Sequence, residues 1–420
     1  SARRRAATSS HVERSSRSAG HVTSTRSSAG HSVSGASNGV SWTASSNIVG
    51  QTSTATVASG GNPLYLAPNT SGYSGVVGML MTYANGNQFV CSGSLLTSGK
   101  ILTAAHCVSN GFAKTANGVA SGLVRTQVLF QNPVSSAADG FIYDLNPANV
   151  VAIDVASYNI NVSYTGEVID QNDIAVLTLA QAAPAFAQAY DLYLGGDLTG
   201  DQFNVTGYGN RSLVGGAEGT TGPGAGAGVG RRRQGDNIYD YRLGDSAFNG
   251  FFTNENANGR NFFGFADIEY SYISDFDNGT ATNSQACRIA SASNIAGPTV
   301  AQARGFCTNG LGLTEVGIAG GDSGGAAFID GKIASVNSYS LTFGTAWGDY
   351  KCDPPIPPST TPRCLQSSWG EMNGFVPTFI HADFIAGVPE PATWAMLILG
   401  MGVVGGAMRR RTKVLFRHAF

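Results

Sequence analysis

Gly320-Gly321-Asp322-Ser323-Gly324-Gly325 is the stretch from which this chain is best read. Glycines on both sides of a serine let backbone approach a substrate carbonyl and let N–H groups face a developing oxyanion. Ser323 is therefore a candidate nucleophile, and a hydroxyl nucleophile needs a base that titrates near neutral pH, the property of imidazole. Between the two termini the sequence holds only two histidines, His106 and His381. His106 stands in Leu102-Thr103-Ala104-Ala105-His106-Cys107, at the end of a β-rich run. A carboxylate to hold the imidazole tautomer is offered by Asn172-Asp173-Ile174-Ala175-Val176-Leu177, an acid leading into an apolar strand where it can be buried. The chain order is His106, Asp173, Ser323.

The 420 residues are 42% hydrophobic, enough for a core, which excludes a wholly disordered or collagen-like chain. Charged residues are only 12% and Gly numbers 56, so the surface must be dressed with Ser, Thr, Asn and Gly, an extracellular composition. Residues 36–387 carry 14 Lys+Arg against 25 Asp+Glu, a balance that repels a phosphate backbone and excludes nucleic acid as a partner. The six cysteines fall as neighbours, Cys91/Cys107, Cys287/Cys307 and Cys352/Cys364, but six allow fifteen pairings and spacing alone does not choose among them. In an oxidising compartment a loop the size of 91–107 closed by a bridge is worth roughly 3 kcal/mol.

Short β-rich stretches at 87–96, 100–108, 124–131, 150–160 and 173–180, then 202–208, 237–243, 262–273, 325–329, 332–338 and 375–380, are punctuated by Gly, Asn and Ser. Without a sustained 3.6-residue period this pattern predicts two all-β modules. The Gly-rich stretch 220–236, with Arg231, Arg232 and Arg233, reads as an exposed flexible loop open to nicking.

Together the three motifs resemble the chymotrypsin/trypsin family of serine peptidases, over about residues 73–386. The resemblance implies an all-β, two-barrel fold in which His106 deprotonates Ser323, Asp173 orients and stabilises the imidazolium, and the N–H groups of Gly321 and Ser323 hold the oxyanion. Cys91-Ser92-Gly93-Ser94-Leu95-Leu96 is similar to the family strand whose cysteine bridges to the one after the histidine, implying Cys91–Cys107. Phe306-Cys307 resembles the start of the segment leading to the nucleophile, which suits Cys287–Cys307. Thr206-Gly207-Tyr208-Gly209-Asn210 is similar to the start of the second barrel. Ser338-Tyr339-Ser340 resembles the strand that binds extended substrate backbone, and Gly374-Phe375-Val376-Pro377-Thr378 the strand that closes the specificity pocket.

The family pattern is not followed everywhere. Trypsin-type members place an aspartate six residues before the serine, where this chain has Gly317. With Gly317, Ser340 and Gly374 as its positions, the pocket should be uncharged and fairly open, implying apolar or aromatic residues before the scissile bond. Ala319 replaces the usual cysteine four residues before the serine, leaving Cys352 and Cys364 to clip the Pro-rich loop between them. Asp322 resembles the acid that pairs with a freshly cut N-terminal amine in zymogen members, and Ile48-Val49-Gly50-Gln51 is a faint likeness of such a terminus.

The ends differ from the body. No apolar segment stands near Ser1, so no signal peptide is read there. The Ser/Arg/Gly-rich start, where Ser18-Ala19-Gly20-His21 recurs as Ser28-Ala29-Gly30-His31, reads as disordered through about residue 45. Its His11, His21 and His31 preorganise no metal site. Asp275-Phe276-Asp277-Asn278-Gly279 reads as a solvated turn rather than a calcium loop, since no bidentate glutamate follows at the required position. No metal and no cofactor is expected. At the other end an apolar run over 393–408 meets Arg409-Arg410-Arg411 and follows Val388-Pro389-Glu390-Pro391-Ala392-Thr393-Trp394-Ala395. Sixteen helical residues span about 24 Å against a hydrocarbon core of about 30 Å, which flanking arginines can extend. The positive charge predicts that this end stays cytoplasmic while the body lies outside.

This tail resembles the PEP-CTERM sorting signal of Gram-negative bacteria, in its Pro-Glu-Pro-x-x-Trp-Ala form. The resemblance implies an exosortase-type sorting enzyme as partner, a transient helix in the inner membrane, cleavage near Pro389 to Pro391, and surface display or release. The expected organisation is a disordered N-terminal region 1–71, a peptidase domain 72–387 with barrels at about 72–195 and 196–387, and a sorting signal 388–420. The expected activity is exported serine endopeptidase. The alternatives are a catalytically silent surface or matrix binding protein on the same fold, and a plain single-span membrane protein.

Overall fold

The structure, a computed structural model, describes residues 27–28, 33–37, 40–45, 48–68, 72–97, 99–133, 139–353 and 363–387. Val76–Tyr83, Gln88–Thr97, Lys100–Thr103, Leu123–Gln131, Val150–Ile160 and Ala175–Leu179 form the first sheet. Gln88–Thr97 pairs with Val76–Tyr83 along most of its length and with Lys100–Thr103 near its C-terminal end, which closes six antiparallel strands into a barrel. Val76, Met79, Leu95, Ile101, Val128, Ile153 and Leu177 fill it.

The second sheet curls into a half-barrel, in the order Arg233–Ile238, Gln202–Gly207, Ala326–Ile329, Lys332–Thr342, Glu371–Pro377, Tyr272–Phe276 and Tyr241–Arg242. A closed barrel followed by a curled half-barrel, with few helices, is the trypsin fold. Two short helices, Gln285–Ala290 and Pro298–Ala303, interrupt the β pattern, and the sequence reading contained neither. The stretch 262–273, read as one strand, enters the sheet only at Tyr272. Ahead of that, in the segment between Tyr241–Arg242 and Tyr272–Phe276, Phe248, Phe252, Phe262 and Phe263 pack with Phe306 and Phe343 and with Tyr241, Leu341 and Met372 of the second sheet, one aromatic core laid against that sheet.

Of the stretch 220–236, read as an exposed loop, Thr221, Pro223, Gly224, Gly226 and Gly228 are exposed, but its arginine end is not. Arg232 and Arg233 are each 1% exposed, and Arg233 opens a strand paired with Gln202–Gly207. Arg232 donates to the carbonyls of Ala67 (2.8 Å) and Tyr73 (2.6 Å), while Arg233 donates to Thr54 O (2.7 Å), Ala55 O (2.8 Å) and Asp139 (2.8 Å). Burying a guanidinium is tolerable only when its fixed fork of donors is satisfied, and carbonyls of the preceding chain do so here. The glycines serve close approach: a Cβ on Gly235 would lie 2.1 Å from Val316 Cγ1.

The same contacts place residues 48–68 inside the folded body rather than in an unstructured head ending at 71, with Ile48, Val49, Thr54, Ala55, Tyr65 and Ala67 buried. Further upstream, Val33–Ser37 pairs with Val40–Ser45, and the latter pairs with Lys332–Thr342, in a region whose composition reads as disordered. Among the described residues no helix is long and apolar enough to cross a membrane. Pro389, Glu390, Pro391, Trp394, Arg409, Arg410 and Arg411, and His11, His21 and His31, lie outside the described residues.

Candidate active site

His106 lies in the 3₁₀ turn Ala105–Cys107 that follows the Lys100–Thr103 strand, and Asp173 lies just ahead of Ala175–Leu179. Those two strands are paired, Ala175 opposite Thr103, so the histidine and the acid leave the same end of the barrel side by side. His106 Nδ1 stands 2.7 Å from Asp173 Oδ2, and the His106 backbone N–H donates to Asp173 Oδ1 at 2.8 Å. A carboxylate only accepts, so this contact makes Nδ1 the protonated nitrogen and gives Nε2 the lone pair. Asp173 is 1% exposed and also accepts from Ser338 Oγ at 2.6 Å. Ser338, expected as a substrate-binding residue, thus spends its hydroxyl on the acid.

Ser323 sits in the turn between Val316–Gly317 and Ala326–Ile329, 3% exposed. Its carbonyl accepts from Ser92 N–H at 2.8 Å. Gly324 N–H donates to Asn337 O (2.8 Å), and a Cβ on Gly324 would come within 2.0 Å of Thr103 Oγ1 and 2.9 Å of Ala104 N. The serine is therefore flanked by backbone that touches the chain just before His106. Gly321 has φ +100°, a conformation open to glycine, and among the described residues neither its N–H nor that of Ser323 has a protein acceptor. Buried backbone donors rarely stay unpaired, so these two are suited to receive an oxygen from outside the chain.

Ser92 was missed in the sequence. Its N–H holds Ser323, its hydroxyl donates to Gly321 O (2.9 Å) and accepts from Tyr208 N–H (2.9 Å), and its carbonyl accepts from Thr103 Oγ1 (2.9 Å). One residue of the first barrel thus ties down both ends of the Ser323 turn. The only signal in the sequence is its place beside Cys91.

Of the predicted pocket residues, Gly317 faces the Phe276 ring, whose atoms would lie 3.0 Å from a Cβ there. Position 317 is therefore packed against an apolar ring rather than left open. Tyr339 is fully buried, its ring over Gly374 and its hydroxyl 2.8 Å from Ser271 Oγ, so only its backbone is left for an extended ligand. Ser340 is 2% exposed and lies opposite Asn373.

Cysteine pairing follows the neighbours: Cys91–Cys107, Cys287–Cys307 and Cys352–Cys364 are bridged. His381 packs, with Nε2 2.8 Å from Gln171 O, and burial lowers its imidazole below the usual value.

One acidic feature departs from the sequence reading and one accords with it. Asp275 and Asp277 are not in a solvated turn but buried, with a carboxylate oxygen of each within 4.8 Å of one on Glu315. Burial, then the charge of Asp277, pushes Glu315 up to about 8. The faint terminus motif also proves well placed. Ile48 is 1% exposed and its N donates to Asp322 Oδ2, a carboxylate that also accepts from Gly209 N (2.7 Å) and Ala319 N (2.9 Å). Burial raises Asp322 well above the ordinary carboxylate range.

Residues 71–223 match the trypsin family model, and residues 387–411 match the PEP-CTERM protein-sorting motif. No curated protein matches the chain. The trypsin match includes His106 and Asp173 and stops 100 residues before Ser323. The chain therefore carries a trypsin-type domain, which indicates a serine-type peptidase acting on protein substrates. Its second matched segment adds a sorting address read by dedicated machinery, and indicates export to the cell surface or beyond.

Proposed function

We propose that the protein is an exported serine endopeptidase in which Ser323 attacks the scissile carbonyl, His106 Nε2 takes its proton, and Asp173 holds the imidazole and stabilises its cation. The acyl-enzyme then forms as the leaving amine collects that proton from His106, and water reverses the sequence. The N–H groups of Gly321 and Ser323 hold the oxyanion. The observation that carries this reading is the two-point contact of Asp173 with His106, beside a serine turn fastened to the same barrel through Ser92. Gly317 against Phe276 favours apolar or aromatic residues before the cut bond.

Activation follows from Ile48. Scission between Asn47 and Ile48 turns a secondary amide into an ammonium at Asp322, replacing one hydrogen bond with an ion pair at a carboxylate that burial otherwise penalises. The peptidase unit on this reading starts at Ile48. The tail is proposed to act through an exosortase-type enzyme in a Gram-negative envelope, with a transient inner-membrane helix before cleavage near Pro389 to Pro391.

A fluorophosphonate probe tests the catalytic claim. Processed wild type should be labelled and Ser323→Ala should not, with turnover lost by about 10⁶ in Ser323→Ala or His106→Ala. Equal labelling of wild type and Ser323→Ala refutes it.

A further inference from the structure

The Lys332–Thr342 strand has different neighbours along its two edges. One edge is lined by Glu371–Pro377 from Ser335 to Leu341. On the other, Ala326–Ile329 covers Lys332 to Val336, and the nucleophile turn covers Asn337, whose carbonyl accepts from Gly324 N–H (2.8 Å) and whose N–H donates to Gly325 O (2.9 Å). Ser340, Leu341 and Thr342 on that edge pair antiparallel with Ser45, Ala44 and Thr43. Since Ser340 and Leu341 already have Asn373 and Met372 on the first edge, the upstream strand must lie on the edge that runs to Ser323. It runs with its C-terminal end toward the serine, only two positions, Ser338 and Tyr339, short of the nucleophile turn.

An extended polypeptide reaching Ser323 along this edge would have to take the place of Thr43, Ala44 and Ser45. We propose that the hairpin made by Val33–Ser37 and Val40–Ser45 is a built-in inhibitor that fills the acyl-side substrate edge, and that residues 1–47 keep the peptidase from extended polypeptides until they leave. The inference rests on the peptidase reading above and extends it from chemistry to regulation. The composition suits the role. Residues 33–45, Val-Ser-Gly-Ala-Ser-Asn-Gly-Val-Ser-Trp-Thr-Ala-Ser, carry no charge, and the Asn38-Gly39 pair between the strands is the dipeptide preferred in two-residue hairpin connections. The blocking strand and the proposed scission point are joined by only Ser46 and Asn47, so one cut before Ile48 removes the covalent tether between the hairpin and the folded body. Sheet addition of this kind takes its affinity from main-chain hydrogen bonds, which bind without demanding particular side chains and release once the covalent tether is gone.

Ala44→Pro tests this, because a central strand flanked on both sides uses every N–H and proline removes one. Amide exchange at 340–342 is compared in the full chain with and without Ala44→Pro, both carrying Ser323→Ala to prevent self-cleavage. The active pair, shown by intact mass to be still uncut before Ile48, is assayed with a long peptide substrate and with a single-residue ester that does not reach the edge. The expected result is exchange at 340–342 about tenfold faster in Ala44→Pro, with kcat/KM for the long peptide raised about tenfold and ester hydrolysis unchanged. Unchanged exchange and unchanged peptide kinetics, in Ala44→Pro and in Thr43→Pro alike, overturn the proposal. Equal ester rates establish that the variants are folded. Absent fluorophosphonate labelling of the same proteins after cleavage before Ile48 refutes the peptidase reading instead, while the exchange arm still decides whether the hairpin covers the edge.

Discussion

Glu315→Gln should change the sign of its effect on stability between pH 5 and pH 9. Glu315 is 1% exposed, and its two oxygens accept from Asp277 N (2.8 Å) and Leu311 N (2.7 Å). Burial, reinforced by the Asp277 charge, raises its carboxyl from 4.5 to about 8. The native state therefore holds the proton more tightly than the unfolded chain, so the stability linked to this group is complete below about 4.5 and is lost as pH rises through about 8. Integrated from pH 5 to pH 9, that loss is about 4 kcal/mol for the one group. Glutamine cannot ionise and escapes the loss, but it offers one acceptor oxygen to two N–H donors, costing about 1 kcal/mol at low pH. Thermal unfolding in a Ser323→Ala background at pH 5, 6, 7, 8 and 9 reads the difference. The variant should melt lower than its parent at pH 5 and higher at pH 9. Two curves that stay parallel across the range would refute the burial argument.

Ser338→Ala should lower kcat by about ten- to hundredfold with little change in KM, since the hydroxyl serves Asp173 rather than substrate; a rise in KM alone would return Ser338 to the binding strand. Added trypsin should leave the bonds after Arg232 and Arg233 intact in the native protein, because both side chains are buried; a rapid cut there would restore the exposed-loop reading. Gly324→Ala should abolish stable folding or lower the melting temperature sharply, its Cβ meeting Thr103 Oγ1 and the Ser92 carbonyl; a variant that melts with wild type would contradict the packing at the nucleophile turn. Breaking Cys91–Cys107 by Cys→Ser at both positions should cost about 3 kcal/mol in denaturant unfolding, and no change would assign that bridge no stabilising role.

Much of this was readable in the linear chain because it depends on local chemistry. Glycines around Ser323, the scarcity of histidine, and Val150–Ile160 with its clear β composition all state themselves within a few residues, as does the tail with its Pro-Glu-Pro, apolar run and arginines. Where the reading failed, the deciding partner was distant. Arg232 and Arg233 look like exposed cations in a flexible loop until the carbonyls of Thr54, Ala55, Ala67 and Tyr73 surround them. Asp275 and Asp277 look like a wet turn until Glu315 and the second sheet close over them. Ile48 is a weak motif by itself and becomes specific only when Asp322, 274 positions away, accepts from its nitrogen.

The sequence by itself determined which side chains could do chemistry here and that strands would predominate, because reactivity and strand propensity belong to residues and their near neighbours. Only the tertiary structure decided which carboxylates are buried, where Ser92 and Ser338 spend their hydroxyls, and that 40–45 lies along the edge next to Ser323, because burial and strand pairing are set by segments that meet across hundreds of residues.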